Sequence, residues 1–170
     1  MKMHNPSVYG LLLMGVTAMS NPAQAADAKP MPPAQYPLAE VSISILHQTG
    51  HGIPGGYEIA IHGNGNGYKQ NTDANPVKIE TYISNEILLE LLNDFYRIHF
   101  FELGDTYLVK KQVLLRDNAL VATTALKMAD VSSKKLCIQL ADYKKCVTIV
   151  GDQPVEASQL AAKIEKLFSH

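Results

Sequence analysis

His47 and His51 bracket the start of a glycine-rich stretch, and two imidazoles in one loop are what a metal site begins with. Two ligands do not make a site, since structural zinc takes four and catalytic zinc three. His62 is the next candidate. If the segments on either side of the loop pair as a hairpin, however, His62 lies at its far end, about 16 Å from His47. No metal centre is therefore expected, and the residues from His47 to Tyr57 read instead as a loop able to touch a small ligand. Asn71, Asp73 and Asn75 space oxygens as a calcium loop does, but Pro76 stands where that loop needs glycine and Tyr82 where it needs a bidentate acid. Turn chemistry is the reading there. Glu102, Asp105 and Asp117 offer carboxylates of the kind a glycosidase pairs, yet nothing in their spacing sets two of them across one cleft. The chain has no G-x-S-x-G and no H-E-x-x-H. The expectation leans away from an enzyme, with no catalytic residue, no metal and no cofactor.

Cys137 and Cys146 are the only cysteines. Leu136–Leu140 and Tyr143–Val147 read as the arms of a hairpin turning at Ala141-Asp142, which sets the two cysteines opposite each other as a non-hydrogen-bonded pair, where side chains come closest. A cross-strand disulfide fits that geometry. Two buried thiols remain the other reading, because Ala-Asp is not a favoured hairpin turn and one extra loop residue would break the register. A redox-active pair is disfavoured by the lack of a C-x-x-C at a helix start.

The elements that must position these residues follow from periodicity. Val41, Ile43 and Ile45 alternate with serines, and Tyr57, Ile59 and Ile61 alternate with Glu58, Ala60 and His62, so both stretches read as half-buried strands. Gly63-Asn64-Gly65-Asn66-Gly67 invites a phosphate-loop reading, but it lies between two strand-like segments and opens no helix, so it is a turn. Tyr68–Asn71 and Val77–Ile83 follow as strands. Ser84 is a good N-cap for a helix with Leu88, Leu91, Leu92 and Phe95 on one face, ending near His99, with Phe100, Phe101 and Leu103 plugging the core. Strands resume over Tyr107–Leu115 and Ala119–Met128 and through the cysteine hairpin to Val150. A last helix begins with Pro154 in its first turn. The order strands, helix, strands, helix implies an α+β domain: an antiparallel β-sheet of two meanders with two helices packed on one face.

Residues 1–25 carry a basic start at Lys2, an apolar run from Val8 to Met19 and the small-residue ending Ala23-Gln24-Ala25, the pattern of a cleaved signal peptide. The run is short of the ~20 residues that span a bilayer. No cysteine follows the cleavage point, so a lipoprotein is not expected, and the product would be periplasmic or secreted. Prolines at 30, 32, 33 and 37 make residues 26–37 an extended linker, leaving 38–170 as a single domain. With 15 basic and 16 acidic residues, and the Lys110-Lys111, Lys134-Lys135 and Lys144-Lys145 doublets scattered among acids, the chain lacks the basic patch that nucleic acid requires. Trp is absent, which counts against aromatic sugar platforms.

Thr49, Gly52, Pro54 and Tyr57 in the first loop, the Gly65–Tyr68 turn, Phe100-Phe101-x-Leu103 with Tyr107, Asp117, and Pro154 with Leu160 and Ile164 occur in an order that resembles the uncharacterised bacterial exported domain-of-unknown-function family 6438, over about residues 41–168. That family carries a cysteine pair in the first loop, where this chain has Gly50, His51 and Ile53. The resemblance implies fold and export, and no activity. The leading expectation is a non-catalytic interaction module that contacts another extracytoplasmic protein through the outward residues Glu58, His62, Lys78, Glu80 and Tyr82. The alternative is an extracytoplasmic ligand- or metal-binding protein or hydrolase using the 47–57 loop.

Overall fold

The computed structural model describes residues 31–50, 53–127 and 131–169. His51, the segment 1–30 that holds the expected leader, and Met128 at the end of the sixth predicted strand lie outside them.

The alternation that marks the first strands also builds the core. Val41, Ile43 and Ile45 of β1 (Val41–Gln48) and Ile59 and Ile61 of β2 (Tyr57–His62) share one face and are at most 2% exposed. β3 (Asn66–Asn71) and β4 (Lys78–Tyr82) extend the meander outward. After α1 (Asn85–Arg97) come β5 (Val109–Arg116), β6 (Leu120–Lys127), β7 (Ser133–Leu140), β8 (Tyr143–Val150) and α2 (Val155–Lys166). Six strands form one antiparallel sheet in the order β4-β3-β2-β1-β7-β8. The fold is α+β. Leu88, Leu91 and Phe95 of α1 and Leu160 and Ile164 of α2 join the same buried cluster as the inward residues of β1, β2, β7 and β8, so both helices cover one face.

The later strands do not run on as a single sheet. Leu136, Ile138 and Leu140 of β7 meet Ile45, Ile43 and Val41 in register, because both sets are apolar at every second position and bury one face together. Among the described residues, β5 and β6 pair only with each other. Their aliphatics are consecutive, Val113-Leu114-Leu115 and Leu120-Val121, so no single face could bury them all, and these residues are 46–75% exposed.

α1 starts where its cap dictates: the Ser84 hydroxyl accepts the Ile87 N–H at 3.4 Å. Beyond it Phe100 is fully buried, edge-on to Phe95 with ring centroids 4.8 Å apart. Pro154 is the N-cap of α2, just ahead of its first turn. Phe168 closes the core over Gly67, where a Cβ would stand 3.0 Å from its ring. Tyr36 and Leu38, at the end of the proline-rich stretch, pack against the core. The helices are joined to each other by Lys163, whose ammonium lies 2.6 Å from Asp94 Oδ2 and also reaches Glu90.

Candidate functional site

Strand parity divides the predicted site residues between two faces. Glu58, His62, Lys78, Glu80 and Tyr82 alternate with inward residues of β2 and β4 and point away from the helices. Across β3 their neighbour is Tyr68, which faces Ala60 and Glu80 in the ladder. The Lys78 ammonium sits 2.7 Å from Glu80 Oε1 and 4.9 Å above the Tyr68 ring, and the Tyr68 hydroxyl donates to Glu58 Oε1 at 3.4 Å. Burial, then the Glu58 carboxylate, raise the Tyr68 phenol above the ordinary tyrosine range, against an opposing effect of Lys78. The hydrogen bond from Lys78 holds Glu80 below the usual carboxylate range. Tyr68, Lys78 and Glu80, together with His62, Asn66 and Tyr82 but not Glu58, line a shallow, open depression of about 540 Å³.

The glycine turn sets one wall of it. Gly65 is left-handed (φ +86°), its carbonyl accepts the Ile83 N–H at 2.8 Å, and a Cβ there would stand 2.7 Å from the Tyr82 ring. The missing side chain is what lets Tyr82 lie beside the turn, 70% exposed. The turn reading of this glycine run therefore holds, and its glycine at 65 has a positional reason.

His47 and Tyr57 belong to the other face. They are directly opposed in the β1–β2 ladder with ring centroids 4.7 Å apart, at the opposite end of the hairpin from His62, which pairs with Ser42. The Tyr57 hydroxyl donates to Glu165 Oε1 at 2.6 Å, and Lys134 lies 2.8 Å from the same carboxylate. The Lys69 ammonium sits 4.8 Å over the Tyr57 ring, and His47 Nε2 is 2.8 Å from the Ser132 hydroxyl. Burial and the Glu165 carboxylate push the Tyr57 hydroxyl well above its usual range, so it serves as a donor and not as a phenolate base. This cluster ties α2 to the end of the sheet. Lys134, Glu165, Lys69 and Ser132 were not among the residues expected; the available signal was Lys134 sharing the parity of Leu136 and Ile138.

The remaining candidates separate. Asn71 and Asp73 bond to each other at 3.1 Å, while the Val77 N–H closes on Asn71 Oδ1, as a turn would. Glu102 pairs with His99 at 3.2 Å, Asp105 with the buried Lys145, and Asp117 sits in the turn that joins β5 to β6, so the three carboxylates share no cleft. Among the described residues, no group of three or more His, Cys, Asp or Glu could hold a metal ion, and no helix is long and apolar enough to cross a membrane. Cys137 and Cys146 are opposed in the β7–β8 ladder and joined by a disulfide, with Ala141 taking φ +54° in the tight turn between the arms. Ala141 tolerates that conformation with support: its N–H donates to the Glu40 carbonyl at 3.2 Å and its own carbonyl accepts from the Gln139 amide at 3.0 Å. No protein-family model matches the chain, and no curated protein matches it.

Proposed function

We propose that this is an exported, non-catalytic interaction module that grips a segment of another extracytoplasmic protein on the helix-free face of β2, β3 and β4. The observation that carries the reading is the depression lined by His62, Tyr68, Lys78, Glu80 and Tyr82, with Tyr82 standing 70% exposed at its wall. Tyrosines supply large contact area at small entropic cost and are the residue type that recognition surfaces favour, and a Lys-Glu pair at their rim can re-pair with charges on a partner. A shallow trough beside an edge strand suits an extended peptide better than an enclosed small molecule. Export is supported by the leader pattern of residues 1–25 and by the Cys137–Cys146 bond, which an oxidising compartment preserves. The likeness to domain-of-unknown-function family 6438 agrees with export.

A second reading rests on a cleft of about 340 Å³ beside the first loop, lined by Gly56, Tyr57, Lys69, Val77 and Ile79, which would take a small ligand. One experiment separates the two. A photo-crosslinking amino acid replaces Tyr82 in one variant and the 51% exposed Leu89 of α1 in another, both expressed in the native host. The interaction module gives one discrete protein adduct from position 82 that the Glu80→Lys change abolishes, and none from position 89. Equal labelling at both positions would overturn it, as would a non-covalent small-molecule adduct in native mass spectra that Tyr57→Phe removes while Glu80→Lys does not.

A further inference from the structure

The Cys137–Cys146 bond bridges β7 to β8, and β8 is an edge strand of the six-stranded sheet. Its two sulfurs are not equally accessible. Cys137 lies opposite Ser44 of β1 on its other side and is 7% exposed, whereas Cys146 is half-buried and lines a shallow cleft of about 730 Å³ that Cys137 does not reach. A thiolate breaks a disulfide by attacking one sulfur and expelling the other, so access decides which of the two is attacked. Here it is Cys146 Sγ.

The cleft is also cationic. Lys135, Lys144 and Lys145 line it against the one carboxylate of Asp105. The Lys145 ammonium is buried and already bound, to Asp105 and to the Leu103 carbonyl at 2.7 Å. Lys135 and Lys144 are exposed and form no ion pair among the described residues, so they carry the charge in excess. Register sets them around the bond. Lys135 precedes Cys137 by two positions and Lys144 precedes Cys146 by two, so in antiparallel strands they flank the disulfide from opposite ends of the same face, each about 7 Å from its nearer cysteine along the strand. A lysine side chain spans that distance. A thiol carrying a negative charge is therefore drawn toward Cys146, and a cationic thiol is repelled from it.

We propose that Cys146 is a reversible S-thiolation site for small anionic thiols. The thiolate sulfur bonds to Cys146 Sγ as the Cys137–Cys146 bond breaks, and the electron pair leaves on Cys137 Sγ, which takes a proton from water. Return attack by the Cys137 thiolate restores the bond and releases the thiol. Alternatively a second thiolate attacks the reagent's sulfur in the mixed disulfide, freeing Cys146 and releasing the thiol's own disulfide, so that two thiols supply the two electrons that reduce the cystine. A C-x-x-C pair at a helix start supplies an attacking thiolate. This hairpin supplies the bond that is attacked. The site shares no lining residue with the depression on β2–β4, so it does not depend on what docks there.

The test compares mercaptoethanesulfonate, an anionic thiol, with cysteamine, a cationic one, on the folded protein purified without reductant and held at low ionic strength. Each rate is divided by that of the same thiol with an uncharged small disulfide, which cancels their different basicities. The anionic thiol is expected to be favoured by about tenfold, since two ammoniums act with opposite sign on the two reagents. Raising the salt to about 0.5 M should remove most of that preference. The Lys135→Glu, Lys144→Glu double variant should reverse it. Acid quenching followed by peptide mapping should find the first adduct on Cys146 and not on Cys137; this readout and the salt dependence use the native sequence and serve if the double variant misfolds. An adduct on Cys137 or spread evenly over both cysteines, normalised rates indifferent to the charge of the thiol, or a rate that levels off at the rate of unfolding as thiol is added would each overturn the proposal.

Discussion

Reducing the Cys137–Cys146 bond should cost the domain a defined part of its stability. The two cysteines are nine residues apart in sequence and directly opposed in the β7–β8 ladder. Closing a loop of about ten residues removes about 9 cal/mol/K from the unfolded chain in the chain-entropy model, which is about 2.7 kcal/mol at 25 °C. A folded part of roughly 130 residues unfolds with about 0.27 kcal/mol/K of entropy, so the melting temperature should fall by about 10 °C. Those values are upper bounds, because a reduced hairpin retains some contacts when unfolded. The measurement is urea unfolding followed by circular dichroism on the oxidised protein, on the same protein held reduced, and on a Cys137→Ala, Cys146→Ala variant. Reduction isolates the cross-link, since both sulfur atoms stay in place, and the alanine variant adds the packing lost where Cys137 is only 7% exposed. The slope with urea should rise slightly on reduction, as the unfolded chain expands. A reduced protein within about 0.5 kcal/mol of the oxidised one would refute the entropy argument. It would also remove the structural reason for an oxidising compartment.

Two further outcomes follow from buried polar groups. Lys163→Met leaves the Asp94 carboxylate, 4% exposed, with Arg97 as its remaining cation, and should destabilise by about 1–3 kcal/mol in urea titrations, part of which the added Asp94→Asn change restores; an unchanged midpoint would show that Arg97 suffices alone. At alkaline pH the raised Tyr57 hydroxyl and Tyr36, pushed up to about 12 by burial and its hydrogen bond with Tyr96, keep their protons in the folded state after the unfolded chain has lost them. Their contribution is therefore complete below the ordinary tyrosine range near 10 and is lost as pH rises through it toward the folded values. Tyr57→Phe should flatten the fall in urea midpoint between pH 9 and pH 11.5, about the range where free tyrosines ionise, and an identical pH profile for both proteins would contradict it.

The parts of the fold that were legible in the sequence are those where one physical rule acts alone. Val41–Ile45 and Leu136–Leu140 each alternate cleanly, so their strands and inward faces could be read, and Ser84 announced α1 because a hydroxyl before an apolar stripe has few other uses. The cysteine register could be counted from a two-residue turn. What could not be read is where strands from distant parts of the chain meet. β7 joins β1 instead of β6, a choice made by matching two apolar faces that lie far apart in sequence. The same tertiary choice creates the His47, Tyr57, Lys134 and Glu165 cluster, whose members come from three strands and a helix. Lys134 and Lys145 carry inward parity yet are charged, and they are tolerated only because Glu165, the Leu103 carbonyl and Asp105 meet them. The open-face residues Glu58, His62, Lys78, Glu80 and Tyr82 were legible as a set, since parity alone groups them. The depression that all of these but Glu58 line was not, because its walls depend on how β3 and the Gly65 turn stand beside them.

The ribbon separates what folding needs from what it does not. The buried cluster draws on β1, β2, β7, β8 and both helices, and no described residue of β5 or β6 belongs to it. Sixteen residues of aliphatic-rich strand thus lie outside the described core, β5 carrying basic residues and β6 no charge before its last residue. Selection for solubility alone would put charges on both edges and remove the valines and leucines. The exposed aliphatics of the ribbon therefore contribute nothing to the buried cluster of the described residues, and the stability of the domain rests on the six-stranded sheet and the two helices.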